Sequence, residues 1–428
     1  MPPRSEMHGG GGLQRSPPPC SCAVLTAGTV PGGAAAGCPA AGRVLFLCVV
    51  GTESAKSGHA VRKTDTLSTL PDLPVRTVQE MGLKELERIR LILRGGSVID
   101  WRRLHFKTRD EVDRFLRLCL IDPADPADER WARLVLADAV EYLRRTFNYR
   151  VTDAVANPPE IHDLFLYASG VKEPQRWRKI ACIVLKVMHV IQHIEGRDLF
   201  FRLPVSEADL SQMVTLKVTS VVNLLRQKGL VVEFSDSIKT RESVITKLIA
   251  KKETVAAQVY DKTRFRLVTG TREEILPVLY FLTQRLFPFN FVVPDQTDNS
   301  LFEFKSLLER YPHFSQYEEE LHLDLDYEDR EDRRGGNVHS GSGYRNLNFV
   351  VDIPVRMDAF LPPPADDHRP RPGRVAYALV EFQIVDRETA IQNEAGENAH
   401  DRYKHRQKLR VLRRLSRGLV VPKKNGGK

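Results

Sequence analysis

The sequence predicts an α/β (α+β) protein in which helices flank a mixed β-sheet and an all-α helical domain precedes the sheet. Apolar residues recur at helical spacing between residues 80 and 200. After Gly229 the pattern changes to period two, and the segments 347–355 and 375–386 alternate apolar and polar residues as strands do. With 428 residues, 42% of them hydrophobic, the chain is long and apolar enough for two or three packed domains.

The N-terminal 65 residues have the composition of a disordered, low-complexity leader. They contain the runs 9–12 of glycine, 17–19 of proline and 34–36 of alanine, and little periodic pattern. The apolar run 44–50 is far shorter than the roughly 20 residues that span a bilayer, so no membrane span is predicted. The six cysteines do not form a disulfide framework, which favours a reducing, cytoplasmic environment.

Residues 80–230 are predicted to be a helical accessory domain. The segment 177–194 is apolar nearly all round, which is typical of a helix at the centre of a bundle. A further helix, 219–227, is expected to end at Gly229.

The sheet domain is predicted to cover residues 231–410, with a basic tail over 411–428. Residues 295–342 form an acidic segment without clear pattern and are predicted to be an irregular insertion. A proline-rich loop, 361–374, separates the two best strands, which are therefore expected to pair antiparallel.

Two carboxylates and a set of cations carry the candidate chemistry. Glu381 and Gln383 share the polar face of the last strand, and Asp261 opens an earlier strand. A mixed sheet could bring Asp261 and Glu381 together as ligands of Mg²⁺, the ion that phosphoryl-transfer sites use. Strand carboxylates are also often solvated or salt-bridged.

A basic helix is predicted after Asp236. It carries Lys239, Arg241, Lys247 and Lys251, with the last two one helical turn apart. Such residues can neutralise a triphosphate, although a helix rich in Lys and Arg is also a common solvated surface.

Five segments resemble, in chain order, the synthetase domain of RelA/SpoT-type (p)ppGpp synthetases, whose fold is nucleotidyltransferase-like. They cover about 170 residues, from the start of the sheet domain to Lys404. The segments are Lys239-x-x-x-Ser243-Val-x-x-Lys247-Leu248, Asp261 with Arg266, Gly343-Tyr-Arg-Asn-Leu-Asn348, Val380-Glu-Phe-Gln-Ile384 and Asn393-Glu-Ala-Gly-Glu-Asn-Ala-His-Asp-Arg-Tyr-Lys404.

The resemblance implies ATP-dependent pyrophosphate transfer to a hydroxyl of a guanine nucleotide. It gives Asp261 and Glu381 the catalytic and Mg²⁺-binding roles, with Mg²⁺ as the cofactor. The phosphate-binding residues would be Lys239, Arg241, Lys247, Lys251 and Arg266. Tyr344 and Asn348 would bind the acceptor base, and Gln383, Glu394, His400 and Lys404 would support the site.

The chain also departs from the family pattern. Ser237 replaces an arginine, Arg264 the strand glycine, Asn348 a histidine, and Val385 and Asp386 an Arg-Thr pair. The changes at Ser237 and Asn348 favour an alternative, a non-catalytic sensor that binds nucleotide, or RNA through a basic helix 402–417 whose Leu409, Leu412 and Leu415 pack on the domain. A transferase with another acceptor is a third alternative.

Two histidine motifs in the helical region allow a metal-site interpretation. His162-Asp163 matches part of the hydrolase signature of long RelA/SpoT proteins, but no suitable partners follow it. His189 and His193 lie one turn apart on the most apolar helix, where core histidines are more common than ligands.

Overall fold

The computed structural model describes residues 74–95, 105–171, 175–250, 263–317, 344–361 and 373–394, together with seven helical residues between 405 and 415. The predicted leader, the basic tail after residue 415, and most of the acidic segment lie outside the described residues. The described residues belong to one compact unit.

Eleven α-helices with defined bounds, several short 3-10 helices and one five-stranded sheet make up most of the described part of the chain. The helices are α1 (Leu83–Arg94), α2 (Arg109–Leu118), α3 (Pro126–Phe147), α4 (Asp153–Ala156), α5 (Ile161–Ala168), α6 (Gln175–Arg202), α7 (Glu207–Gln227), α8 (Arg241–Ala250), α9 (Ile275–Arg285), α10 (Phe304–Arg310) and α11 (Arg387–Glu394). The strands are β1 (Glu233–Ile238), β2 (Thr263–Thr269), β3 (Asp298–Asn299), β4 (Leu347–Arg356) and β5 (Val375–Asp386).

The sheet is mixed, as the sequence predicts. Its strand order is β1-β2-β5-β4-β3, and β2 and β5 pair in parallel while the other neighbours are antiparallel. The antiparallel pairing of β4 with β5 is therefore confirmed. One face of the sheet is an aromatic core in which the Phe382 ring lies 5.5 Å from the rings of both Phe265 and Phe349.

Local signals fix where several helices begin and end. Asp125 caps α3 by accepting a hydrogen bond from the Ala127 N–H at 2.8 Å, and Pro126 takes the first helical position, where no N–H is needed. The helix ends at Asn148, whose φ of 51° is left-handed. Ser206 and Asp209 form a capping box at the start of α7.

The helices before the sheet share a hydrophobic core with it. Buried residues of α1 to α7 belong to the same cluster as Phe265, Phe349 and Phe382. Near the start of β5, the ring of Tyr377 stacks on His193 of α6, with 4.3 Å between the ring centres. The predicted domain boundary at residue 230 thus falls within one compact unit, and the division into domains stays a prediction.

Ion pairs also join the helices to the sheet. Arg356, the last residue of β4, donates to both oxygens of Asp128 on α3 at 2.6 and 3.0 Å. Arg374, next to β5, donates to Asp125 at 3.0 Å. Because Asp128 is almost fully buried, its ion pair with Arg356 is largely shielded from solvent. This ion pair ties the N-terminus of α3 to the sheet.

Some sequence expectations need correction. The segment predicted to be irregular contains β3, α10 and a 3-10 helix, Pro312–Tyr317. The helix expected at the centre of a bundle, α6, packs on α3, α5 and β5 but leaves Val190 and Ile194 exposed. A helix can therefore be apolar all round without being buried all round.

The two histidine motifs lie among packed side chains. The His189 Nδ1 is 3.3 Å from Asn290 Nδ2, and the His193 Nδ1 is 3.1 Å from an Asp352 oxygen. Burial, and secondarily the neighbouring His193, hold the pKa of His189 well below its usual range. His162 contacts Asp113 rather than a second His-Asp pair. No helix in the described ranges is long and apolar enough to cross a bilayer.

Candidate nucleotide-binding face

Polar side chains from four strands line one face of the sheet. Arg264 pairs with Glu381, Arg266 with Gln383, and Asn348 with Gln383 on its other side. Paired residues of neighbouring strands project to the same side of a sheet, and their i±2 neighbours do too. We call this surface the polar face: Ser235, Ser237, Arg264, Arg266, Asn348, Glu381 and Gln383, with Tyr344 at its margin.

The alternation of β5 is as predicted, because Glu381 and Gln383 face away from the aromatic core. Glu381 is nevertheless well buried on this face, since its side chain is only 6% exposed. The side chains that cover it are polar. Arg264 lies on one side of the carboxylate and Asn348 on the other.

Both oxygens of Glu381 are occupied by these neighbours. Arg264 donates from Nε to Oε2 at 3.1 Å and from Nη2 to Oε1 and Oε2 at 3.1 and 3.0 Å. Asn348 donates from Nδ2 to Oε1 at 2.6 Å. A two-pronged contact of this kind is among the strongest ion pairs that proteins form. The negative charge of Glu381 is therefore compensated within the protein.

Two departures from the family pattern meet at this carboxylate. Arg264 and Asn348 are two of the positions at which the chain differs from the motifs it resembles. In the structure both contact Glu381, although they come from different strands. Their replacement therefore changes a single feature of the site, the charge and hydrogen bonding of Glu381.

Tyr344 precedes β4 and lies at the margin of the polar face. Its hydroxyl accepts a hydrogen bond from Gln383 Nε2 at 2.6 Å. Burial raises the pKa of Tyr344, more than the Gln383 contact lowers it, so the hydroxyl stays protonated and keeps its own hydrogen to donate. The two motif segments that carry Tyr344 and Gln383 are thus brought into direct contact.

The last motif segment also reaches this region. Asn393 of α11 accepts a hydrogen bond from the Arg345 N–H at 3.0 Å and donates to the Arg345 carbonyl at 2.6 Å. Arg266 lies 3.9 Å from the Glu394 carboxylate. This pair of backbone hydrogen bonds fixes the chain next to Tyr344, a role that the sequence did not assign to Asn393.

The basic residues are only partly within the described structure. Lys239 is half-buried in the connection between β1 and α8, not on the helix as predicted, because β1 extends to Ile238. Arg241 is the first residue of α8 and is exposed. The side chains of Lys247 and Lys251, and the residues Asp261, His400 and Lys404, lie outside the described residues.

Of the two predicted Mg²⁺ ligands, only Glu381 lies within the described residues. Its two oxygens already face a guanidinium and an amide N–H, which are donors and not metal ligands. Within the described ranges, no three His, Cys, Asp or Glu side chains group closely enough to hold a metal ion. The described residues therefore do not fit a Mg²⁺ ion in this arrangement, and a site shared with Asp261 stays a prediction.

The basic C-terminal helix differs from expectation in its packing. Leu409, Leu412 and Leu415 are 47%, 61% and 56% exposed, so the prediction that they pack on the domain is wrong. Val411 is buried instead. Successive helical residues are about 100° apart, so Leu412 and Leu409, about 100° and 160° around the helix from Val411, face away from the side that Val411 buries.

Sequence comparisons do not place the chain in a family, since no protein-family profile and no curated protein matches it. Several solved structures are similar to it. Small alarmone synthetase 1 from Bacillus subtilis, bound to its product pppGpp, is 16% identical with a TM-score of 0.29 and covers 51% of this chain and 89% of its own. Small alarmone synthetase 2 from the same organism is 14% identical with a TM-score of 0.26, covering 49% and 92%. A GTP pyrophosphokinase family protein from Streptococcus pneumoniae is 13% identical with a TM-score of 0.26, covering 49% and 84%. These values are too low to assign an activity to the chain.

Proposed function

We propose that the polar face binds a purine nucleotide without catalysing pyrophosphate transfer. The observation that carries the proposal is the convergence of segments distant in sequence on this face, with Arg264 and Asn348 holding the one carboxylate there. Arg264 compensates Glu381 on this face, and Arg266, 3.9 Å from the exposed Glu394, adds a second guanidinium, the group that suits phosphate best.

The base would lie against Tyr344. An aromatic ring offers a stacking surface, and its hydroxyl has a hydrogen left to donate. The Oδ1 atom of Asn348 is buried and has no hydrogen-bond partner in the described part of the chain. An unsatisfied acceptor of this kind is suited to an N–H of a base, and guanine offers such donors on its pairing edge.

The phosphates would lie toward the cations. Arg266 is half-buried on the polar face, and Lys239 and Arg241 follow the end of the neighbouring strand β1. We include Lys247 and Lys251 in this group on the sequence alone. A guanidinium can take two phosphate oxygens at once, so Arg266 would contribute most to orientation and the lysines mainly to charge.

Pyrophosphate transfer is the alternative that the sequence resemblance implies. It would need Mg²⁺ at Asp261 and Glu381, ATP as donor and a guanine nucleotide as acceptor. The contacts of Glu381 favour binding without transfer, because a carboxylate whose two oxygens are held by arginine and asparagine is a poor metal ligand. Binding of RNA at the basic C-terminal helix would be a separate activity and leaves the polar face unused.

One experiment with two readouts tests the proposal. Titration calorimetry of the full chain with GDP, GTP and ATP measures binding, and labelled ATP with GDP or GTP and Mg²⁺ measures transfer. We expect binding without transfer, about tenfold or more weaker binding for Tyr344→Leu and Arg266→Met, and a smaller loss for Tyr344→Phe. The matched control is Arg130→Met on α3, an exposed arginine outside the polar face.

Two results would contradict the proposal in different ways. Transfer by the wild-type chain that is lost in Glu381→Gln would show a pyrophosphokinase, with Arg264 displaced during catalysis. Nucleotide binding that is absent, or equal in wild type and both polar-face variants, would show that the converging segments report a shared fold only.

A further inference from the structure

A cleft of about 210 Å³ lies between α1, α2 and α9, apart from the polar face. Its apolar walls are the rings of Phe106, Phe115, Phe289 and Tyr280. Aromatic rings in a cleft offer surfaces for a flat group. The volume suits a molecule with one ring and one small substituent better than a complete dinucleotide or a peptide.

The cleft has an excess of positive charge. Four cationic side chains line it, against the two carboxylates Glu85 and Glu111, so its formal charge is two positive units. The four are Arg76, Lys84, Arg88 and Arg114.

The two carboxylates are engaged by other groups. Glu85 accepts from Arg76 at 2.8 Å and from the Gly82 N–H at 3.0 Å. Glu111 pairs with Lys84 at 3.0 Å and accepts from the Lys107 N–H at 2.8 Å. Within the described residues, neither carboxylate forms an ion pair with the two remaining arginines, Arg88 and Arg114.

Arg88 is the better placed of these two. Its guanidinium carbon lies 5.3 Å from the centre of the Phe289 ring, within the range of a cation–π contact. Over the described ranges it makes no ion pair or hydrogen bond within the protein. Burial lowers the pKa of Arg88, and the nearby Tyr280, Glu85 and Glu111 offset this only in part. A guanidinium has five N–H donors, and leaving them unused in a cleft is costly.

We propose that this cleft binds a small organic anion that carries one aromatic ring, with its phosphate or carboxylate on Arg88 and its ring against the aromatic wall. The anion would replace the hydration of Arg88 with a two-pronged contact, and Arg114 at the exposed rim would add charge. The site is independent of the polar face, because none of its lining residues belongs to that face.

Phenyl phosphate is the probe that tests both halves of the proposal. Titration calorimetry and ligand-observed NMR on the full chain should show that it binds at least about tenfold more tightly than inorganic phosphate or phenol, which each offer half of the contacts. Arg88→Met keeps the aliphatic stem and removes the donors, so it should weaken binding about tenfold or more. Arg88→Lys keeps the charge and should lose less; it also serves if the Met variant does not fold.

Controls separate this site from the nucleotide site. Arg130→Met should bind phenyl phosphate like wild type, and so should Tyr344→Leu, which alters the polar face. No binding of phenyl phosphate to the folded chain overturns the proposal, as does binding that Arg88→Met and Arg88→Lys leave unchanged. Equal affinity for inorganic phosphate overturns the role of the ring, and loss of binding in Tyr344→Leu reassigns the probe to the polar face.

Discussion

Arg264 controls what Glu381 can do in the native arrangement. The two residues are 117 positions apart in sequence and directly opposite each other in the parallel β2–β5 pair. If Arg264 alone were removed, the carboxylate would be left buried with Asn348 as its remaining partner, a loss of the order of 3–5 kcal/mol for a well-buried pair and less here because Arg264 is partly exposed. The contact thus contributes to stability and restricts chemistry at once.

A third position at which the chain differs from the motifs it resembles also has a structural role. Asp386 is buried at the end of β5 and accepts hydrogen bonds from the N–H and hydroxyl of Thr389, at 2.9 and 2.7 Å, at the start of α11. Arg272 contacts the same carboxylate at 3.4 Å. Burial raises the pKa of Asp386, but these hydrogen bonds and the arginine lower it further, so the net direction is below the ordinary value of 3.8.

We predict that Asp386→Asn destabilises the chain by about 1 to 2 kcal/mol at pH 7, because charge-assisted hydrogen bonds become neutral ones. Since the folded pKa is the lower one, the stability that the charge contributes is complete above about pH 4 and declines as the pH falls through the folded pKa. Urea unfolding of both proteins at several pH values measures the difference. A gap that is constant or widens toward acid pH would contradict the assignment.

The alternation of β5 was enough to place Glu381 and Gln383 on one face, because a period of two is a local property of a strand. The partner of Glu381 could not be predicted in this way. The pairing register of β2 with β5 depends on the packing of segments that lie more than a hundred residues apart in the sequence. The spacing of Arg264 and Arg266, two residues apart in one strand, predicts that both side chains project from the same side of the sheet. It does not predict which strand lies beside them. The contact of Asn393 with Arg345 had no signal in the sequence.

Among the elements, α6 shows how far local pattern reaches. Its apolar residues predicted a long central helix, and the structure confirms a helix of 28 residues, ten more than the apolar segment 177–194. The pattern could not show that one stripe is exposed, because hydrophobicity does not specify the partner. Gly196, an unfavourable residue in a helix, lies where α6 passes close to β5.

We predict that Gly196→Ala destabilises the chain although alanine favours helix by about 1 kcal/mol. A Cβ at this position would lie 2.4 Å from the Tyr377 ring and 2.8 Å from the Val375 carbonyl oxygen. The ring is packed and the carbonyl is backbone, so the net loss should be about 2 kcal/mol or more. Thermal and urea unfolding measure it.

The matched control is Asp198→Ala, two residues along the same helix and exposed, which should change stability by no more than about 0.5 kcal/mol. A stabilised Gly196→Ala, with the helix preference dominating, would show that α6 and β5 are not in close contact.

At the scale of the whole molecule, the helices before residue 230 and the sheet behave as one folded unit. Ser211 of α7 hydrogen-bonds Thr263 of β2 at 2.7 Å, and Lys217 donates to the Pro354 carbonyl of β4 at 3.1 Å. The sequence showed two regions because helical and strand periodicities differ. It could not show that the apolar faces of both regions cover each other.

We predict that a fragment of residues 231–428 does not fold alone. Without α6 and α7 it would expose apolar surface that α helices now cover, and it would leave Asp352 and Arg356 without their partners His193 and Asp128. The comparison is a chain of residues 66–428, which lacks the low-complexity leader and should melt close to the full-length protein. Circular dichroism and amide NMR measure both. A cooperative transition in the 231–428 fragment would support the domain boundary that the sequence suggested.

The parallel pairing of β2 with β5 also has a consequence in time. A ribosome adds roughly 5 to 20 residues each second, so the 117 residues between Arg264 and Glu381 separate their synthesis by about 6 to 23 s. During that interval β2 can pair with β1 but has an unpaired edge on its other side, which is the kind of edge that associates with other chains. We therefore expect the nascent chain to be most prone to aggregation after β2 emerges and before β5 does, and slow translation of the intervening segment to lower the yield of folded protein.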